Sequence, residues 1–356
     1  MSQSIFSLFA LSYFVLLAQS LPAIVPLGLK ASDSLVPGSN IGTDPDANTQ
    51  HPMVYEEKRE LVVTKHVTAT VTLGDEVETS QAWTPQPSTP QQGDEFRDGT
   101  IPCSQFPPAE LGVVALDNLG FGGWSSLQTA GGQTVDECKD GIYCSYACPP
   151  GMSKTQWPLS QPANGAAVGG LLCKAGYLYR SNTAESALCK WDVGGVTISN
   201  TNAEAGIALC RTDYPGTEGM YIPTWVGPQQ SDVPVSVVDS ASFYKWKGSG
   251  TSTQYYVNNY GVSVQKGCVW GTPGSTVGNW APLVIGSGST DGITYVSLIE
   301  NPNTPTAKAN FNVRIAAADD GNSQVIGDCR FENGVLSTPG GCTVSVISGS
   351  AQIIFY

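Results

Sequence analysis

From residue 94 onwards, short apolar or alternating segments recur between turn signals. In residues 310–315 the alternation is complete, because Phe311, Val313 and Ile315 each follow a polar residue, and this is the period of a half-buried strand. Many short strands of this kind predict a mainly β fold, an antiparallel sandwich or barrel with long loops and few helices, of which we expect the β-sandwich. The other segments are residues 112–116, 206–210, 233–238, 255–257, 294–299 and 352–355.

The residues before position 94 have a different composition. Residues 5–18 are an apolar run followed by small residues, which predicts a signal peptide over residues 1–20 and is too short to span a bilayer. Residues 21–59 end at Lys58 and Arg59, which favours a pro-peptide cut at a dibasic site over a solvated charge pair. Residues 60–93 are rich in Ser, Thr and Pro, typical of an extended linker. We therefore expect one domain over residues 94–356 and, with no apolar C-terminal tail, no GPI anchor.

All ten cysteines lie in that domain. Four of them, Cys138, Cys144, Cys148 and Cys173, fall in the pattern C-x5-C-x3-C-x24-C within a loop-rich segment. No Cys-x2-Cys pair and no nearby histidine supports a zinc site, so the pattern predicts disulfides in an oxidising compartment. Cys329 and Cys342 flank two turn signals and could pair with each other, and the remaining connectivity stays open.

Charge and histidine content restrict the chemistry. The net charge of −13 and pI near 4.5 disfavour nucleic acid and membrane partners, which need clustered Lys and Arg, and are compatible with a neutral polysaccharide. His51 and His66 are the only histidines and precede the domain, which excludes a Ser-His-Asp triad or a Cys-His pair within it. We expect no cofactor and no metal, and the oligomeric state stays open.

Carboxylates are then the acid/base groups that remain, as in glycosidases. If residues 214–217 form a turn, Asp213 and Glu218 face each other across two strands with Cβ atoms about 5 Å apart. Arg211 would keep Asp213 ionised as nucleophile or base, and Glu218 would be the general acid. The alternative is a surface turn without catalytic function. Asp117 is a further catalytic candidate, and Asp98 and Asp239 are other acids in apolar or aromatic settings.

Sugar binding requires flat aromatic faces and polar side chains. The alternative for any one of these rings is a place in the core. The substrate-binding candidates are Arg211, Trp124, Tyr255, Tyr256, Asn258, Trp270 and Trp280.

Several strings in one order, YCSYAC, GMSKTQWP, VGGLLC, ALCRTDYPGTE, QYYVNNYGVSV and VGNWAPL, resemble the fungal SUN family of secreted cell-wall proteins over about residues 94–356. The resemblance implies a β-glucosidase or β-1,3-glucanase type of glycosidase, which acts on wall β-glucan in remodelling, septation and cell separation. The alternative is a non-catalytic, glucan-binding structural wall protein. Asp213 and Glu218 match the family strings. The chain departs from the family strings at five positions. Asn118 stands where the family usually has Trp, Asn164 where it has Asp, and Ala166 where it has Arg. Gln265 and Lys266 replace an acidic pair.

Overall fold

The computed structural model describes residues 92–214, 222–304, 308–318 and 321–356. The predicted signal peptide, the pro-peptide and almost all of the linker lie outside these residues, as does Glu218. The described residues contain no helix that is long and apolar enough to cross a membrane.

The N-terminal part of the described domain is rich in cysteine and contains six short strands. Four of them form one antiparallel sheet in the order β1-β2-β4-β5, and β3 pairs with β6. Around them pack buried side chains such as Trp124, Leu127 and Leu171, together with six half-cystines. These strands are β1 (Ser126–Thr129), β2 (Ile142–Ser145), β3 (Met152–Lys154), β4 (Leu171–Lys174), β5 (Tyr177–Tyr179) and β6 (Cys189–Trp191).

The remaining strands form two sheets. They are β7 (Val196–Asn200), β8 (Ile207–Tyr214), β9 (Ile222–Val226), β10 (Val233–Pro234), β11 (Ser252–Val257), β12 (Leu283–Thr290), β13 (Ile293–Glu300), β14 (Val313–Ala317), β15 (Gln324–Ile326), β16 (Cys329–Glu332), β17 (Val335–Leu336), β18 (Gly341–Ser348) and β19 (Ala351–Phe355). Among the described residues, helical structure is limited to α1 (Val264–Gly267) and three 3-10 turns at Ala109–Leu111, Asp117–Leu119 and Gly278–Trp280.

The two sheets enclose one apolar core and form a sandwich. One sheet has seven strands in the order β15-β18-β13-β12-β11-β8-β9, and the other has six in the order β10-β7-β19-β14-β16-β17. All pairings are antiparallel except β19 with β7. The core takes alternate residues from both sheets, for example Leu209 and Leu298 from one and Val313 and Ile353 from the other. The predicted fold class, a mainly β, disulfide-rich antiparallel β-sandwich with few helices, is confirmed.

Local sequence explains several elements. Phe311, Val313 and Ile315 are buried and Arg314 is exposed, so the predicted alternation is confirmed, although the strand begins only at Val313. The β12–β13 turn is a two-residue Asp-Gly turn, and the β16–β17 turn is a two-residue Asn-Gly turn. All four residues have positive φ, the backbone that tight hairpins require.

Two predicted strands are shorter than expected. Residues 112–116 make only two isolated bridges, because Gly112 adopts the left-handed conformation at the end of one 3-10 turn and Asp117 begins the next. In residues 233–238 only Val233 and Pro234 pair in a ladder, since proline has no N–H to donate and ends the regular pattern at the sheet edge.

The ten cysteines form five disulfides. The predicted Cys329–Cys342 bond is confirmed. It joins β16 of the six-stranded sheet to β18 of the seven-stranded sheet, so it links the two layers of the sandwich. The others are Cys103–Cys173, Cys138–Cys144, Cys148–Cys189 and Cys210–Cys268.

Removal of the disulfide between the sheets tests its contribution. We expect the double variant Cys329→Ser, Cys342→Ser to lose about 3 kcal/mol of unfolding free energy, because the bond closes a short loop and restricts the unfolded chain. Urea denaturation measures this loss. The corresponding Cys103 and Cys173 variant should lose about 1 to 2 kcal/mol more, because its loop is longer. An unchanged midpoint in the first variant would contradict this account.

Candidate functional site

The inner face of the seven-stranded sheet becomes polar towards one end. Along β8, Leu209 belongs to the apolar core, whereas Arg211 and Asp213, which lie on the same face, are polar and almost completely buried. On the neighbouring strand β11, Tyr255 lies opposite Arg211 and Thr253 opposite Asp213. Both are also buried. The sandwich core therefore ends in a buried polar layer.

Arg211 is the centre of this layer. Its Nη1 donates to the carbonyl of Met152 at 2.9 Å and to Ser236 Oγ at 2.7 Å. Its Nη2 donates to Ser153 Oγ at 2.7 Å and to Asp213 Oδ1 at 2.6 Å. The side chains of Arg211 and Asp213 are 2% and 0% exposed. Burial alone would lower the pKa of Arg211, but the Asp213 carboxylate raises it above its ordinary value, so the guanidinium group keeps its charge.

A second carboxyl group joins the layer through Ser153. Asp192 directly follows β6, the partner strand of β3, and Ser153 Oγ donates to Asp192 Oδ2 at 2.6 Å. The same Oγ accepts from Arg211, which binds Asp213. These three contacts, of 2.6, 2.7 and 2.6 Å, limit the separation of the bonded carboxyl oxygens of Asp192 and Asp213 to about 8 Å at most.

The two carboxyl groups have different environments. Asp192 is partly exposed, and its pKa is raised to about 6. Burial is the largest cause of the raised pKa of Asp192. The Arg211 charge and the hydrogen bond from Ser153 lower this pKa, and the Asp213 charge raises it further. Asp213 is shielded from solvent, and its Oδ2 has no hydrogen-bond partner. Asp192 is therefore the less buried of the two residues, and its carboxyl group holds a proton in mildly acidic conditions.

Two of the three predicted catalytic residues lie among the described residues, in different settings. Asp213 lies in the buried layer. Asp117 is exposed at the start of a 3-10 turn. Glu218 lies outside the described residues, so its predicted pairing with Asp213 stays a prediction. Arg211, predicted to contact substrate, directs both terminal nitrogens at protein groups.

Most of the predicted sugar-binding side chains pack inside the protein. Trp124 packs edge-on against Phe106, with the two ring centroids 4.9 Å apart. The Tyr255 hydroxyl accepts a hydrogen bond from the Ser236 N–H at 2.9 Å. Exposed ring surface belongs to Trp270, which is 47% exposed, and in part to Trp280. The exposed fractions of the four others are 3% for Trp124, 1% for Tyr255, 8% for Tyr256 and 0% for Asn258.

Sequence reasoning missed Asp192, Ser153 and Ser236. No spacing rule connects them, because they come from separate segments that meet only when β3 and β6 dock on the end of the sandwich. A weak local signal was present: Asp192 lies between an aromatic residue and a Val-Gly-Gly turn, close to a cysteine. Among the described residues, no group of three or more His, Cys, Asp or Glu side chains could hold a metal ion.

Comparison with known proteins identifies the domain. A family model described as beta-glucosidase (SUN family) matches residues 98–345. The chain belongs to the SUN family. No solved structure matches it.

Curated relatives of this SUN-family chain come from several fungi. The beta-glucosidase-like protein NCA3, mitochondrial, of Saccharomyces cerevisiae is 58% identical over 73% of this chain and 76% of that protein. The probable secreted beta-glucosidase UTH1 of the same species is 55% identical over 74% of this chain and 71% of its own length. The secreted beta-glucosidase SIM1 of Candida albicans is 52% identical over 73% of this chain and 69% of its own length. Asp192, Arg211 and Asp213 all lie within the residues that the SUN model matches.

The raised pKa of Asp192 has a consequence for stability. Between its ordinary value of 3.8 and its folded value of about 6, the folded protein binds more protons at this residue than the unfolded chain does. The contribution of Asp192 to stability therefore falls as the pH rises from about 4 to about 6, by on the order of 2 kcal/mol. The Asp192→Asn variant lacks this contribution. Its unfolding free energy should therefore decline less than that of the wild type between about pH 4 and about pH 6.

Urea denaturation of both proteins at pH 4, 5, 6 and 7 measures this difference. All other titrating groups are shared, so they cancel when the two curves are subtracted. Parallel curves would show that Asp192 titrates at the same pH in both states, against our account.

Proposed function

We propose that this protein is a secreted glycoside hydrolase that cleaves β-1,3-glucan of the fungal cell wall by carboxylate acid/base chemistry, in wall remodelling, septation and cell separation. Membership of the SUN family supports the glycosidase class. The observation that carries the chemistry is Asp192, a partly exposed residue whose pKa is raised to about 6 and which is linked through Ser153 and Arg211 to the buried Asp213.

In this proposal Asp192 is the general acid. Its proton transfers to the glycosidic oxygen as the bond from that oxygen to the anomeric carbon breaks, and the leaving sugar departs as an alcohol. Water then adds to the anomeric carbon, and the proton that it loses restores the acid form of Asp192. A carboxyl group with a pKa raised to about 6 suits this function, because an acid must keep its proton at the working pH.

Asp213 has a positioning function in this proposal, because its carboxylate does not meet solvent. It neutralises Arg211, which holds Ser153 in place to donate to Asp192. Its negative charge also contributes to the raised pKa of Asp192. The sequence assigned the general acid to Glu218 instead, and that assignment stays a prediction that the same experiment tests.

Three further observations support a secreted enzyme for a neutral polymer. Five disulfides are typical of proteins that fold in an oxidising compartment. Two relatives carry the word secreted in their names, although another is named mitochondrial. The net charge of −13 does not favour an anionic substrate.

A second candidate function is a non-catalytic wall protein that binds glucan. The buried position of Asp213 favours it, because a carboxylate that substrate cannot reach is also what a purely structural ion pair would show. The two functions differ in one product, new reducing ends.

The decisive assay incubates the purified protein with laminarin, a soluble β-1,3-glucan, and measures reducing ends. We expect wild-type activity with a decline above about pH 6, and a loss of about 100-fold or more in Asp192→Asn, the usual contribution of a general acid. The control is Asp291→Asn. Asp291 is exposed in the β12–β13 turn at positive φ, a conformation that asparagine adopts readily.

The other outcomes separate the alternatives. Loss of activity in Glu218→Gln with full activity in Asp192→Asn would assign the acid to Glu218. Binding of laminarin without any cleavage by the wild type would favour the structural wall protein.

A further inference from the structure

Trp191 is an exposed aromatic residue beside the candidate acid. It is the last residue of β6, directly before Asp192, and it is 41% exposed. Large aromatic side chains normally lose most of their surface in a folded domain, as Trp124 and Trp157 do here at 3% and 4%. Trp191 is thus one of two exposed tryptophans among the described residues, and it directly precedes Asp192 in the chain.

The indole has a fixed support on one side. A Cβ atom on Gly151 would lie 2.6 Å from Cζ3 of the Trp191 ring and 2.6 Å from Cβ of Pro234. The ring therefore lies directly against the Gly151 backbone, next to the proline, at a distance that only glycine permits. The carbonyl oxygen of Gly151 also accepts a hydrogen bond from the Asp192 N–H at 3.2 Å. The same glycine thus supports the ring and fixes the backbone of the acid.

The residues that face and precede Trp191 add no unpaired charge. Met152, opposite Trp191 in the β3–β6 pair, is buried. Lys190, which precedes Trp191, forms an ion pair with Glu185. A flat, supported aromatic surface without excess charge matches the C–H face of a neutral pyranose ring better than it matches an ionic ligand.

We propose that Trp191 forms a glucosyl-binding subsite beside Asp192, in which one sugar ring of a β-glucan chain stacks on the open part of the indole. The inference rests on the proposed function and deepens it by assigning a residue that holds the substrate. Stacking there places the polymer at the end of β6, where Asp192 follows Trp191 in the chain.

Binding and turnover of Trp191→Ala test the subsite. We expect the KM for laminarin to rise and the affinity for laminarihexaose, measured by calorimetry, to fall by about tenfold, as for a central aromatic contact. The maximal rate should change much less, because the acid is still present. Trp191→Phe keeps a flat ring and should recover most of the affinity.

The matched control is Tyr177→Ala, since Tyr177 is 45% exposed on β5 and has no part in the proposal. Its affinity should equal that of the wild type, and thermal unfolding of all variants identifies any that fail to fold. Equal affinity of folded Trp191→Ala and wild type would overturn the subsite alone. A wild type that neither binds nor cleaves laminarin would overturn the proposed function, and the subsite with it.

Discussion

A guanidinium group buried at the end of an apolar core is the interaction on which this arrangement depends. Removing a charge from water costs several kcal/mol, and only an opposite charge with well-placed hydrogen bonds compensates for it. Arg211 receives both: Asp213 supplies the charge, and Met152, Ser153 and Ser236 supply acceptors. Loss of either charged partner would leave the other buried alone, at a cost of about 3 to 5 kcal/mol.

This requirement connects three parts of the chain. Arg211 comes from the seven-stranded sheet, Met152 and Ser153 from β3 of the cysteine-rich part, and Ser236 from the segment after β10. The cysteine-rich part therefore contacts the sandwich through directional hydrogen bonds, which fix the position of Asp192 at the end of β6. The energetic need to solvate one cation thus determines where a titratable carboxyl group lies.

Sequence reasoning succeeded where the signal was local. The alternation of Phe311, Val313 and Ile315 predicted a strand, and turn residues near Cys329 and Cys342 predicted their bond. It failed for contacts between distant segments: Asp192 and Arg211 meet through Ser153, which no spacing reveals. Trp124 and Tyr255 illustrate a second limit, since ring type alone does not show whether an aromatic residue packs inside or faces solvent. Asp213 was identified as charged and paired with Arg211, but its burial depends on docking of β3.

As the proposed general acid, Asp192 touches the scissile bond, and the structure of a complex tests this most directly. A crystal structure of Asp192→Asn with laminarihexaose should place a glycosidic oxygen within about 3.2 Å of the side-chain amide of residue 192, the reach of a general acid. An ordered oligosaccharide bound elsewhere on the domain, with no contact to residue 192, would contradict the account.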